Sequence, residues 1–129
     1  AYSNGCNDFN ITTNLFEKKL VWLATRITGK KENNFKITID GKVGKLSGSD
    51  VKYGDITFNG DANSYCANVS SDSTFRFNGS VGLFCGKDTY NSNFYTKDKM
   101  DLMVISLTTK ACCRYYLMEK DGKSRLITP

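Results

Sequence analysis

The sequence predicts an α+β domain, a single N-terminal α-helix packed on a twisted antiparallel β-sheet and stabilised by disulfides. Three observations carry that expectation. An apolar stripe with helical spacing lies near the N-terminus, short strand-like runs punctuated by turn dipeptides fill the remainder, and five cysteines run from position 6 to position 113. A chain of 129 residues suits one domain, 1–129. Its 40% hydrophobic and 12% aromatic content is enough to bury a core.

The helix comes first. Thr12, Thr13 and Asn14 are capping residues, and Asn14 with Glu17 has capping-box spacing. Phe16, Leu20, Leu23, Ala24 and Ile27 then recur at helical intervals, and Gly29 is a natural stop. Lys30 and Lys31 follow where the helix dipole favours cations. These residues predict a helix over 14–28.

The strands follow from residue 35 onward. Phe35–Ile39, Asp40-Gly41 and Lys42–Leu46 read as a hairpin. Ile56–Phe58 reads as a short strand closed by Asn59-Gly60. Thr74–Phe77, Asn78-Gly79 and Ser80–Cys85 read as a second hairpin, and Leu102–Leu107 as a central apolar strand. Cys112–Glu119, Lys120-Asp121-Gly122 and Lys123–Ile127 complete a third. The one proline is Pro129, so none interrupts these ladders. The chain reads as having no internal repeat, low-complexity tract or linker.

Five cysteines without metal-ligand spacing point to an oxidising compartment and hence to secretion. A Cys66–Cys85 bridge would close the loop around the second hairpin. Cys112 and Cys113 are adjacent on a strand and face opposite ways, so one is expected to bond Cys6 and the other to stay a thiol. Three N-x-S/T triplets, at Asn10, Asn68 and Asn78, are compatible with a secretory route. The start at Ala1, without a basic and apolar leader, fits a mature form after signal removal. No apolar run approaches the roughly 18 residues that span a bilayer, so no membrane association is expected.

The net charge of +5 is concentrated between residues 15 and 46. Eight basic groups there (Lys18, Lys19, Arg26, Lys30, Lys31, Lys36, Lys42 and Lys45) face the acids Glu17, Glu32 and Asp40. Such a patch attracts phosphates or an acidic surface. Trp22 lies off the apolar stripe of the predicted helix, among Lys18, Lys19 and Arg26. Lys18, Lys19, Trp22, Arg26, Lys30 and Lys31 are therefore the candidate partner-binding residues.

No histidine occurs, which excludes Ser-His and Cys-His nucleophile activation and His-ligated metals. The acids Asp55, Asp61, Asp72, Asp88, Asp98 and Asp101 are scattered singly, without a calcium-loop or paired-carboxylate rhythm. No catalytic residue, metal or cofactor is expected, and the chain is read as a non-enzyme. Strand aromatics such as Phe75, Phe77, Tyr115 and Tyr116 are core candidates that would also offer stacking faces for bases or sugars.

Two stretches carry a family resemblance. Tyr2-Ser3-Asn4-Gly5-Cys6 runs straight into the capped helix, and Arg114–Pro129 forms the closing hairpin. Together they resemble the small secreted fungal ribonucleases of the T1 type, and more closely the ribonuclease-like effectors of powdery-mildew fungi. Active members use a glutamate base and a histidine acid. Without histidine, the resemblance implies an inactive ribonuclease-like scaffold. It would serve as a secreted, monomeric effector or virulence protein that enters host cells and binds a host protein. A plant immune receptor would detect it, and RNA is a secondary expectation through the basic patch. Two alternatives stand beside it: a pilin- or pseudopilin-like bacterial surface subunit, and a small secreted hydrolase using carboxylates alone.

Overall fold

Ile37-Thr38-Ile39-Asp40-Gly41, Ile56-Thr57-Phe58-Asn59-Gly60 and Phe75-Arg76-Phe77-Asn78-Gly79 recur 19 residues apart. The computed structural model, which describes residues 8–13 and 22–127, turns each recurrence into one rung of a parallel β-solenoid. Six parallel strands stack in chain order: β1 (Asp8–Thr12), β2 (Phe35–Asp40), β3 (Gly54–Phe58), β4 (Thr74–Phe77), β5 (Asn93–Thr96) and β6 (Arg114–Met118). An eight-residue helix, α1 (Lys99–Ser106), lies between β5 and β6, and β7 (Ser124–Ile127) pairs antiparallel with β6.

The register follows the repeat. Lys36 lies opposite Asp55, Asp55 opposite Thr74, and Thr74 opposite Asn93. Along each strand one side chain in two points inward. Phe35, Ile39, Ile56, Phe58, Phe75, Phe77 and Phe94 are thereby almost fully buried. Their rings stack from rung to rung, Phe58 on Phe77 at 5.0 Å and Phe75 on Phe94 at 5.6 Å. Each such ring stabilises the coil by about 2–3 kcal/mol.

Parallel neighbours cannot be joined by a tight turn, so the chain travels round the coil before pairing again. The return side is held by axial backbone bonds between rungs, such as Leu46 N–H to Ser64 O (3.1 Å) and Tyr65 N–H to Leu83 O (3.0 Å). Alternate residues there have positive φ: Leu46, Gly48 and Asp50, then Tyr65, Ala67 and Val69 one rung later. The interior of this side is lined by Val43, Ser47, Val51, Ala62, Cys66, Ser70, Cys85 and Thr89, all buried. Buried hydroxyls accept backbone N–H bonds from the neighbouring rung, Ser70 Oγ from Val51 (3.0 Å) and Thr89 Oγ1 from Ser70 (3.1 Å). Such pairing removes the cost of an orphaned buried donor.

The architecture corrects the expected helix on an antiparallel sheet, and with it the ribonuclease-like scaffold. The 14–28 helix falls partly on residues 14–21, outside the described residues. Over 22–28 the backbone is irregular, with positive φ at Trp22, Ala24 and Arg26, and Arg26 N–H bonds Ser49 O on the next rung. Gly29 is a close-packing residue rather than a helix stop, since a Cβ there would lie 2.3 Å from Tyr53 O.

The first two predicted hairpins are also overturned. At Asp40-Gly41 only the glycine has positive φ, and Asn59-Gly60 and Asn78-Gly79 have none. These pairs turn a corner of the coil, whereas a tight hairpin turn needs positive φ in the loop. The predicted strand Leu102–Leu107 falls instead on α1 and its C-cap residue, Leu107. Asp98 caps that helix, accepting from Met100 N–H at 2.7 Å, and Leu102 and Ile105, three apart, are its buried residues. The hairpin of Arg114–Met118 with Ser124–Ile127 is present as predicted. Among the described residues Cys66, Cys85, Cys112 and Cys113 are thiols, and Cys6 lies outside them.

Candidate outer-face cleft

The residue between the two inward apolar positions of each strand must point outward. Reading across the sheet, this outward column is Asn10, Thr38, Thr57, Arg76, Tyr95 and Tyr116. Every member carries a hydrogen-bonding side chain. The column turns cationic and aromatic toward the C-terminal end.

There the Arg76 guanidinium lies 4.9 Å from the centre of the Tyr95 ring, and Tyr95 stacks on Tyr116 at 4.6 Å with an interplanar angle of 12°. Arg76 also forms an ion pair with Asp55 one rung before, both side chains being partly exposed. The stack is a preorganised plate. Tyr95 is held between the Arg76 guanidinium and the Tyr116 ring, and Tyr116 has one ring face covered by Tyr95.

Beside the plate lies a cleft of about 670 Å³, lined by Arg76, Tyr95, Lys97, Met118, Glu119, Lys120, Gly122 and Ser124. The far wall is the β6–β7 turn, where Gly122 N–H bonds Glu119 O (3.1 Å) and Gly122 has a φ of +83°. Arg125 Nε donates to Glu119 Oε1 at 2.8 Å, so the one carboxylate in the wall is engaged. Among the described residues neither Lys97 nor Lys120 takes part in an ion pair, and both are exposed. The cleft therefore has two uncommitted ammonium groups, a guanidinium and the Tyr95 phenol. It is built to hold negative charge.

Among the described residues, none of the sequence-predicted partner residues lines this cleft. Lys18 and Lys19 lie outside the described residues. Trp22 and Arg26 are exposed on the return side of the first rung, Trp22 being 51% exposed. Lys30 and Lys31 are exposed in the turn before β2, and Lys31 lines a smaller groove of about 270 Å³ with Asp72, Asn91 and Arg114. With no helix over 22–28, the described members Trp22, Arg26, Lys30 and Lys31 are not displayed on a helical face.

The aromatic expectation divides in two. Phe75, Phe77 and Tyr115 are buried, and burial pushes the Tyr115 phenol above its usual value. Tyr116 lies on the outer face, and Tyr95 occupies one of its two ring faces. The scattered acids also have structural partners. Asp61 accepts from Ser80 N–H (3.0 Å), Asp72 from Asn91 Nδ2 (2.5 Å), and Asp88 pairs with Lys110 at 3.3 Å. Asp98 caps α1, where burial and the charge of Asp98 raise the Asp101 carboxyl. Asn68 has its side-chain oxygen buried, and Asn78 donates to Asn59 Oδ1 (2.8 Å), so two of the three glycosylation triplets are committed to the coil.

Arg76, Tyr95, Lys97 and Lys120 were not singled out by the sequence reading as a site. The signal was the 19-residue recurrence, which marks Arg76 as the outward residue between Phe75 and Phe77. No family model, curated protein or solved structure matches the chain. No helix of the described residues is long and apolar enough to cross a membrane.

Proposed function

We propose that this chain is a non-enzymatic recognition protein whose outer sheet face binds an acidic polysaccharide along the solenoid axis. The carrying observation is the pair of uncommitted cations, Lys97 and Lys120, at the edge of the Arg76–Tyr95–Tyr116 plate. An ammonium facing solvent with a guanidinium and phenols alongside favours carboxylate or sulfate groups, which accept charge-assisted hydrogen bonds. The outward column repeats a polar group at each rung, about 4.8 Å apart, a period suited to an extended chain of hydroxyl-bearing units. Tyr95, engaged by Arg76 and by Tyr116, offers no open face to single-stranded RNA, whose bases need open aromatic faces to stack. The acidic-partner expectation is thus kept, on a different surface.

Binding of fluorescently labelled heparin, polyuridylate and a neutral glucan at two salt concentrations tests the reading. Heparin should bind in preference to the other two, and more weakly at higher salt. Replacing Lys97 and Lys120 together by alanine should weaken it about tenfold, or roughly 1.4 kcal/mol, with the melting temperature unchanged. Equal affinity for polyuridylate, or heparin binding indifferent to both substitutions, would sink the proposal.

A further inference from the structure

Cys66 and Cys85 occupy the same inward column on successive rungs. The bridges Ala62–Val81 and Ser71–Tyr90 bracket them at matching register, and Gly86 N–H bonds Cys66 O at 2.8 Å. Both are buried, at 0% and 1% exposure. Each also donates to a carbonyl of an earlier rung, Cys66 Sγ to Gly44 O (3.5 Å) and Cys85 Sγ to Asn63 O (3.1 Å). Residues in register on adjacent strands lie about 4.8 Å apart, inside the roughly 4.4–6.8 Å Cα separation that a disulfide spans. Cys112 is exposed, and Cys113 donates instead to Thr89 O (3.4 Å).

We propose that Cys66 and Cys85 are a dithiol–disulfide couple, closed by exchange with glutathione disulfide into a bridge that ties the β3 rung to the β4 rung. One cysteine thiolate attacks a sulfur of glutathione disulfide and releases one glutathione. The other, deprotonated, attacks the mixed disulfide and releases the second. Two protein thiols are oxidised, one disulfide is reduced, and the two protons finish on the two glutathiones. The burial that keeps these thiols from solvent makes folding, when the rungs are still open, the stage at which exchange occurs.

The test is to refold the whole chain from denaturant in a glutathione redox buffer, alkylate free thiols and digest without reduction. Trypsin cuts after Arg76, separating the two cysteines, so a bridge appears as one cross-linked peptide pair. The expected result is a Cys66–Cys85 cross-link with Cys112 and Cys113 alkylated. The oxidised protein should melt about 10 °C higher than the reduced one. Cys85→Ser should fold, because Ser47 fills the same column two rungs earlier, and its melting temperature should ignore reductant. Recovery of Cys66 and Cys85 as free thiols in folded protein, or of either joined to another cysteine, overturns the proposal. Peptide mapping of the unsubstituted chain decides this even if the serine variant does not fold.

Discussion

At Gly60 a Cβ would lie 2.3 Å from the carbonyl oxygen of Gly41 and 2.8 Å from the Lys42 nitrogen, all of it backbone. At Gly79 the same atom would meet Gly60 at 2.6 Å. The glycines of the three Asx-Gly pairs are therefore a column in which main chains touch. Gly60→Ala should cost about 3 kcal/mol, because the rungs must separate to admit a methyl group. Gly122→Ala meets nothing within 4 Å and pays only for its left-handed backbone, about 1 kcal/mol. Urea unfolding of the two variants checks the contrast. If both cost the same, contact between glycine backbones does not hold the corner.

The elements differ in how legible they were. β3 and the β6–β7 hairpin were readable because alternation and turn chemistry are local signals. β2 and β4 were also visible, but their partners were not. Whether Asp40-Gly41 folds the chain back or bends it onward depends on contacts 19 residues away. The run Leu102–Leu107 is short, apolar and ambiguous in period. Asp98, four residues earlier in the chain, settles it by capping. Asp98→Ala should destabilise the protein by about 1 kcal/mol. Far-UV circular dichroism during urea titration would show a loss confined to α1 as a separate early step. The cleft was less legible than the strands. Lys97 and Lys120 are far apart in sequence, and only the stacking of β4, β5 and β6 brings them to one rim.

At the scale of the molecule each rung touches chiefly its neighbours, so stability is close to a sum of rung and interface contributions. Removing residues 54–72 takes out one whole rung and joins Tyr53 to Ser73, restoring the inward and outward columns in register. That deletion should leave a cooperative, β-rich fold with a lower melting temperature. Deleting residues 54–63 breaks the register, moves apolar side chains to the outside and should abolish folding. Circular dichroism with thermal melting of both deletions distinguishes a repeating coil from a fold with one indivisible core.

β7 also sets the fate of the end of the stack. Every strand from β1 to β5 presents its successor with a parallel edge, the geometry by which cross-β fibres recruit further chains. β7 runs the other way, is short and carries Ser124, Arg125 and Leu126 exposed. A second molecule arriving with a parallel-ready strand finds the wrong polarity and a charged, narrow rim. The closing hairpin is thus a growth terminator, and its loss would turn a discrete coil into a seed for fibrils.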